Sequence, residues 1–301
     1  MTEQELHELR REKWRLNGKA IRTLEDARAF LESVGFCQMY PLRPAAIMPT
    51  FIGAWFGTDV NLPTKQRAYD NPRAQEANDV MVRMLREQIA YEANLFDENN
   101  AFLVTASVFP YFYALVGERN PKQPPKAGPR AEFSQLACDT FAAIQRGGPI
   151  SKPKLLETIG GGVSTAILDK ALIELWSKLR ITRVDYTPSE GAHWDVLYRW
   201  APDAVRQGIE ISVVEALSAL LSKYLDCVIA ADQQEIETFL GNFVPRSKIK
   251  EAVNALLAAR ELDFVHVSNR SLIQITKPKT VVASAPSSAR VIRNPRPSSK
   301  R

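Results

Sequence analysis

A single glutamine marks the first stretch of this chain whose side chains could do chemistry. Gln38 lies in VGFCQMYPLRP (residues 34–44), between Cys37 and Met39, with Tyr40 and two prolines close behind. A buried amide must find hydrogen-bond partners or cost roughly 1–3 kcal/mol. Alternate side chains of an extended segment point the same way, so Gln38 and Tyr40 are expected to share a face. The amide is therefore either a structural group bonded to neighbouring backbone or a group aimed at something that binds.

A second candidate site is a basic cluster at the start of a predicted helix. Arg246, Ser247, Lys248 and Lys250 lie together in PRSKIKEAVNALLAAR. Side chains and free N–H groups at a helix start favour phosphate, which makes this cluster a candidate DNA contact. Lys and Arg on an exposed helix face are also commonly just solvated. Further candidate phosphate contacts are Arg43, Arg183 and Arg270.

Other familiar constellations of catalytic or ligand-binding residues are missing from the sequence. The GGG at residues 160–162 lies in a predicted turn and lacks the preceding strand that a phosphate-binding loop needs. Three histidines without a C-x-x-C pair argue against a zinc site. Three widely spaced cysteines argue against a disulfide framework and fit a reducing cytoplasm. The sequence therefore predicts a cytoplasmic protein that uses neither metal nor cofactor.

The elements that carry the basic cluster belong to an internal repeat. Residues 155–184 (LLETIGGGVSTAILDKALIELWSKLRITRV) align without a gap with residues 236–265 (IETFLGNFVPRSKIKEAVNALLAARELDFV), at an offset of 81. Such spaced matches of apolar residues imply one supersecondary unit used twice. Each copy predicts three helices followed by a β-hairpin, the winged-helix pattern. Its third helix often enters the DNA major groove, although winged helices also serve protein–protein assembly.

The N-terminal third predicts a related but less regular unit. Helices are expected over Glu3–Leu16 and in TLEDARAFLESVG, where Thr23 caps the start and Gly35 the end. A long helix is expected from Pro72 to Phe96. The apolar element AFLVTASVFPYFYAL follows, and its aromatic rings could form a core cluster or stack on bases. This pattern fits another winged-helix or helix-turn-helix unit without a clear wing.

Composition and charge complete the predicted organisation. The fold class is mainly α with short β-hairpins (α+β), built as tandem winged-helix modules. No apolar run approaches the roughly 20 residues that span a bilayer, and the charged start MTEQELHELRREKW predicts no secretory signal. The formal net charge of +5 comes from a Pro/Ser-rich terminal segment with seven basic residues and no acid, expected to be a disordered tail. The predicted parts are 1–120 (helical, with Gln38), 121–130 (Pro-rich linker), 131–210 and 211–276 (winged helices), and 277–301 (basic tail).

The order of these modules resembles a known family. VGFCQMYPLRP after the second helix, AFLVTASVFPYFYAL before the linker and a wing ending WDVLYRWAPD (194–203) are similar to the AlkZ/YcaQ group of interstrand-crosslink DNA glycosylases. The resemblance covers roughly residues 5–276. It implies tandem winged helices that form a C-shaped clamp around duplex DNA.

The resemblance also implies a role for Gln38. The family's catalytic motif is Gln, an apolar residue, then Gln or Asp, and Gln38 and Met39 match its first two positions. An N7-alkylated guanine is already cationic, so the remaining task is to stabilise an oxocarbenium-like sugar and place a water. Tyr40 departs from the pattern at the third position. It could hold a water, stack on sugar or base, or mark a relative that binds DNA without cutting it.

Three hypotheses follow. The first is a monomeric, cytoplasmic protein on double-stranded DNA, associated with the nucleoid when bound, that releases N7-alkylated purines with Gln38 and Tyr40 as catalytic residues. The second is a non-enzymatic DNA-binding or regulatory protein of the same fold. The third is a protein-assembly module. Salt-dependent affinity for duplex DNA separates the first two from the third, and release of free base separates the first from the second.

Overall fold

The computed structural model describes residues 1–41, 46–96, 102–128 and 131–276, and the predicted basic tail and Arg43 lie outside these residues. The α-helices are α1 Glu3–Lys13, α2 Leu24–Val34, α3 Phe51–Phe56, α4 Pro72–Arg86, α5 Phe109–Val116, α6 Gln135–Gly147, α7 Lys152–Ile159, α8 Thr165–Ser177, α9 Leu197–Trp200, α10 Pro202–Glu210, α11 Val213–Val228, α12 Gln233–Leu240 and α13 Arg246–Ala258. The strands are β1 Phe36–Gln38, β2 Ala90–Ala93, β3 Phe102–Thr105, β4 Ile150–Ser151, β5 Ile181–Thr187, β6 Gly191–Val196, β7 Ala230–Ala231, β8 Leu262–Val267 and β9 Arg270–Ile275.

These elements form three units of one design. In each, a helix leads to a short strand, two further helices follow, and two strands close a three-stranded antiparallel sheet. The short first strand pairs with the last strand of its unit, giving the orders β1–β3–β2, β4–β6–β5 and β7–β9–β8. Three helices with a hairpin and one extra short strand make a winged helix, so the predicted α+β class is confirmed.

The repeat predicted from the sequence places equivalent elements in register. The third helices of the last two units, α8 and α13, begin at Thr165 and Arg246, as the offset of 81 requires. The first unit, expected to lack a clear wing, has the same strand order with two four-residue strands. The wing is therefore present in the first unit but short.

Two helices end earlier than predicted, and the first of them, α1, ends at Lys13 rather than Leu16. The helix expected over Pro72–Phe96 ends at Arg86, and Ala90–Ala93 pairs with Phe102–Thr105 as strand β2. Gln88 takes a left-handed conformation with φ of 54°, which turns the chain out of the helix. All four β2 side chains, Glu92 included, are buried, so the segment has no alternation of buried and exposed positions that would separate strand from helix.

Among the described residues, the buried apolar side chains form two large clusters and one small cluster. The first and third units share one core, in which the Phe36 ring stacks on Phe239 with centroids 5.1 Å apart and Phe239 stacks on Tyr224 at 4.3 Å. The aromatic run on α5 contributes buried Phe109 and Phe112 to this core, in line with the structural interpretation of that run. The second unit has a separate core around Phe141, Trp176 and Trp194.

Candidate functional site

Gln38 ends the short strand β1 and is held there by its backbone. Its N–H donates to Pro49 O at 2.9 Å, it pairs with Phe102 on β3, and it forms a parallel bridge with Thr50. Thr50 also caps α3, since its hydroxyl accepts from Gly53 N–H. The Gln38 residue is 5% exposed, and no described residue forms a hydrogen bond with its side-chain amide. Contacts among the described residues thus hold the backbone of Gln38, and none of them is a hydrogen bond to its side-chain amide.

Tyr40 is buried and turns toward the third helix of the first unit. Its hydroxyl donates a short hydrogen bond to Asn78 Oδ1 on α4. Burial raises the pKa of Tyr40 to about 12, although the bond to Asn78 opposes the rise. The strand ends at Gln38 and the chain bends at residues 39–40, so strand alternation does not put Gln38 and Tyr40 on a common face. Tyr40 is therefore a neutral, anchored phenol near pH 7.

A buried carboxylate lies where the first unit meets the second. Glu92 on β2 is 1% exposed, and its Oε1 accepts from Arg183 Nη1 on β5 at 2.9 Å. The Glu92 carbonyl accepts from Trp176 Nε1 at 3.1 Å and from Thr182 Oγ1 at 3.0 Å. Burial raises the pKa of Glu92, while Arg183 and Lys65 oppose that rise. This polar junction joins the first and second units, whose buried Leu179 and Leu197 also pack in the core of the first unit.

The candidate DNA contact Arg183 therefore makes intramolecular contacts. Its guanidinium lies 4.4 Å from the centre of the Trp176 ring and 5.3 Å from that of Trp194, in addition to its bond with Glu92. Lys65 lies close by. It is exposed, yet enough protein surrounds its ammonium to lower its pKa, and the charge of Arg183 adds to the effect.

The basic cluster of the third unit begins α13, with Pro245 before it as the cap residue. The Arg246, Lys248 and Lys250 side chains are 80%, 58% and 62% exposed. Lys248 pairs with Glu251 at 2.8 Å, whereas Arg246 and Lys250 lie 3.8 and 3.9 Å from the carboxylate of Glu237. Ser247 is exposed beside them. The cluster presents cations to solvent at the helix that a winged helix can insert in DNA.

Arg270 occupies a different place. It lies on the wing strand β9, and its guanidinium binds the carboxylates of Asp232 and Glu235 at the start of α12. The Arg270 side chain is half-exposed, and its ion pairs hold the guanidinium against the third unit.

Sequence reasoning missed three residues of this region: Asn78, Glu92 and Tyr69. Tyr69 is exposed and bonds through its hydroxyl to that of Tyr186 at 3.2 Å. A lone acid inside the otherwise apolar AYEANLF was a signal for Glu92, since a buried acid needs a partner. Among the described residues no three His, Cys, Asp or Glu side chains meet as metal ligands. None of the helices described is long and apolar enough to cross a membrane.

The comparisons with known proteins agree on a family. A family model described as DNA glycosylase AlkZ-like matches residues 94–293, more than half of the chain, beginning after Gln38 and Tyr40. The structure is similar to the Streptomyces sahachiroi DNA glycosylase AlkZ, with a TM-score of 0.59 and 12% identity over 92% of this chain and 70% of that chain. No curated protein matches the sequence. With the family model matching most of the chain and the three winged-helix units in place, the chain belongs to the AlkZ-like DNA glycosylase family.

Proposed function

We propose that this chain hydrolyses the N-glycosidic bond of N7-alkylated purines in double-stranded DNA, as a glycosylase of alkylation or crosslink repair. The observation that carries the proposal is the position of Gln38, a buried residue whose backbone is held by contacts to Pro49, Phe102 and Thr50. Catalysis by positioned amides depends on such preorganisation. Membership of the family supplies the class of reaction.

In the proposed reaction the leaving base needs no protonation, because it is already cationic. The C1′–N9 bond breaks, its electron pair passes to the cationic alkylated base, and the base leaves neutral. A water then adds to C1′ and loses a proton, which leaves an abasic site. The carbonyl oxygen of Gln38 would face the positive charge that develops on the sugar. Tyr40, with its proton held toward Asn78, would place the water by accepting a hydrogen bond.

Base release is the direct test. Duplex DNA with N7-methylguanine is incubated with the protein, and the free base is measured by chromatography and mass spectrometry. We expect release that is stoichiometric with abasic sites, and no release from the same duplex with guanine. Tight DNA binding with no release from the methylated duplex would overturn the proposal.

A second function, DNA binding without catalysis, is favoured by one observation. Tyr40 occupies the position where the family pattern has Gln or Asp, and burial raises its pKa to about 12. A phenol of that pKa accepts no proton from water near pH 7. A protein that binds duplex DNA with steep salt dependence and releases no base would fit this function.

The basic cluster at the start of α13 gives a prediction for both functions. Replacing Arg246, Lys248 and Lys250 together with alanine should weaken binding to all DNA sequences about equally, because phosphate contacts carry no sequence information. The slope of log K against log salt should fall by about 1 for each phosphate that the variant no longer neutralises. Fluorescence anisotropy at several salt concentrations measures both.

Arg206→Ala is the matched control for this triple variant, because Arg206 is 68% exposed and paired with Asp203 on α10, outside the three-helix repeat. Its affinity and salt slope should equal those of the wild type. A change in sequence preference in the triple variant would indicate that the cluster reads base edges instead. On this proposal the protein acts on DNA as a monomer, in the cytoplasm and on the nucleoid.

A further inference from the structure

Two tyrosine rings lie exposed where the first and second units meet. Tyr69 lies on the 3-10 helix Lys65–Asp70 and Tyr186 near the end of β5. The two residues are 60% and 36% exposed, and their hydroxyl oxygens lie 3.2 Å apart. One hydroxyl therefore donates to the other, while both residues remain partly open to solvent.

The surroundings of the two rings are already ordered. The Tyr69 carbonyl accepts a hydrogen bond from the Gln75 side chain on α4. Arg86 at the end of the same helix reaches the second unit, where it binds the carboxylate of Asp185 at 2.6 Å and donates to the carbonyl of Tyr186 at 3.4 Å. A partner that stacks on these rings would lose little side-chain entropy in ordering them, which favours binding.

The charges beside the rings suit a nucleotide. Lys65 and Arg67 are exposed on the same 3-10 helix as Tyr69. The same helix ends with the exposed acid Asp70, while Glu92 and Asp185 are paired with Arg183 and Arg86. Aromatic rings next to free cations are the combination that binds unstacked nucleotides, the rings taking the base and the cations the phosphate.

The ring pair also lies next to the candidate catalytic segment. Gln75, which bonds the Tyr69 carbonyl, lies three residues before Asn78 on α4, about one helical turn away. Tyr40 in turn bonds Asn78 on α4, the helix that also carries Gln75 and Arg86. A nucleotide held on the exposed rings would therefore lie beside the segment that ends in Gln38 and Tyr40.

We propose that Tyr69 and Tyr186 form a stacking platform for a DNA base that has left the helical stack, with its phosphate neutralised by Lys65 and Arg67. This inference rests on the proposed DNA-directed function. An enzyme that works on a single nucleotide of a duplex must take that nucleotide out of the stack, and unpaired or damaged bases leave it at the lowest energetic cost.

The test compares two duplexes of one sequence, one fully paired and one with a single unpaired base. Affinities are measured by fluorescence anisotropy at one salt concentration. Tyr69→Ala should weaken binding to the unpaired-base duplex by about 5- to 150-fold, the range for one stacked base, with a much smaller loss on the paired duplex. Tyr69→Phe keeps the ring and should stay within about threefold of the wild type, on the same basis.

Val214→Ala is the control for loss of an exposed apolar side chain, because Val214 is 72% exposed at the start of α11. It should match the wild type on both duplexes, and thermal melting checks that every variant folds. Equal losses on the two duplexes, or no loss for Tyr69→Ala and Tyr186→Ala, overturn the platform. A wild-type protein that binds neither duplex overturns the platform together with the DNA-directed function. Tyrosine-dependent binding without base release supports the platform and removes only the glycosylase activity.

Discussion

Gln38→Ala is expected to slow release of N7-methylguanine by about 10²–10³-fold, the scale for losing one preorganised contact to the transition state. DNA affinity should change little, because phosphate contacts dominate such interfaces. The measurement is single-turnover base release beside a binding isotherm. The expectation follows from the burial of Gln38 and from backbone contacts that fix it independently of its side chain.

Gln38→Leu distinguishes loss of the amide group from loss of side-chain volume. It keeps the bulk of the side chain, so it should lose as much rate as the alanine variant while melting near the wild-type temperature. If Gln38 is a structural amide instead, both variants should lose stability on the scale of one hydrogen bond, about 1 kcal/mol, and keep their rate of base release. That outcome would remove Gln38 from the catalytic site.

Tyr40→Phe removes one hydroxyl and with it the hydrogen bond to Asn78. A rate loss comparable to that of Gln38→Ala would assign the phenol to the water, and a small loss would assign it to packing. The modest stability cost of removing the hydrogen bond, about 0.5–1.5 kcal/mol, should appear in either case.

Glu92→Ala is expected to destabilise the fold by about 3 kcal/mol, because it leaves the Arg183 guanidinium at the junction without its carboxylate. The lower end of the usual range applies because Arg183 is one-quarter exposed. On the scale of about 2–4 °C per kcal/mol, the melting temperature should fall by on the order of 10 °C. Calorimetry or circular dichroism measures it.

Arg86→Ala is the matched control at the same junction. It breaks the exposed pair with Asp185, and such pairs are worth about 0–1 kcal/mol. If the two variants melt alike, Glu92 does not hold the junction. Denaturation of both by urea gives the free energy of unfolding without reliance on heat.

Glu92 also makes stability depend on pH. Burial raises its pKa in the folded chain, so the folded state holds this proton more tightly than the unfolded state does. Its contribution to the free energy of unfolding is therefore largest below the usual pKa of Glu and falls as pH rises through the raised value. Glu92→Gln should abolish that part of the pH dependence, which urea titrations across this range would detect.

The sequence correctly predicted the features that depend on local residue patterns, such as repeated helices and helix caps. The offset of 81 located the third helices of both repeats, and Thr23 and Gly35 cap α2 as expected. The prediction of a helix at strand β2 was wrong because its four side chains are all buried. The two-residue strands β4 and β7 are too short to carry a pattern of their own.

The candidate site residues also fall into those that local sequence could indicate and those that it could not. Gln38 and the α13 cluster were candidates because they stand in recognisable local contexts. The bonds Tyr40–Asn78 and Glu92–Arg183 join residues 38 and 91 positions apart, and nothing in either local sequence selects its partner. The roles of the site residues remain predictions, which the variants above address.

The shared core of the first and third units has a consequence for the order in which the chain becomes structured. Phe36 packs on Phe239, more than two hundred residues later, whereas the second unit closes its core between residues 133 and 196. Domains fold as units during synthesis, and contacts between distant residues form late. On the ribosome the middle unit can thus fold first. The first unit can pack Phe36 on its own Phe102 and Phe112, but the ring that stacks on Phe36 arrives only with α12, so this N-terminal unit completes its core late in synthesis.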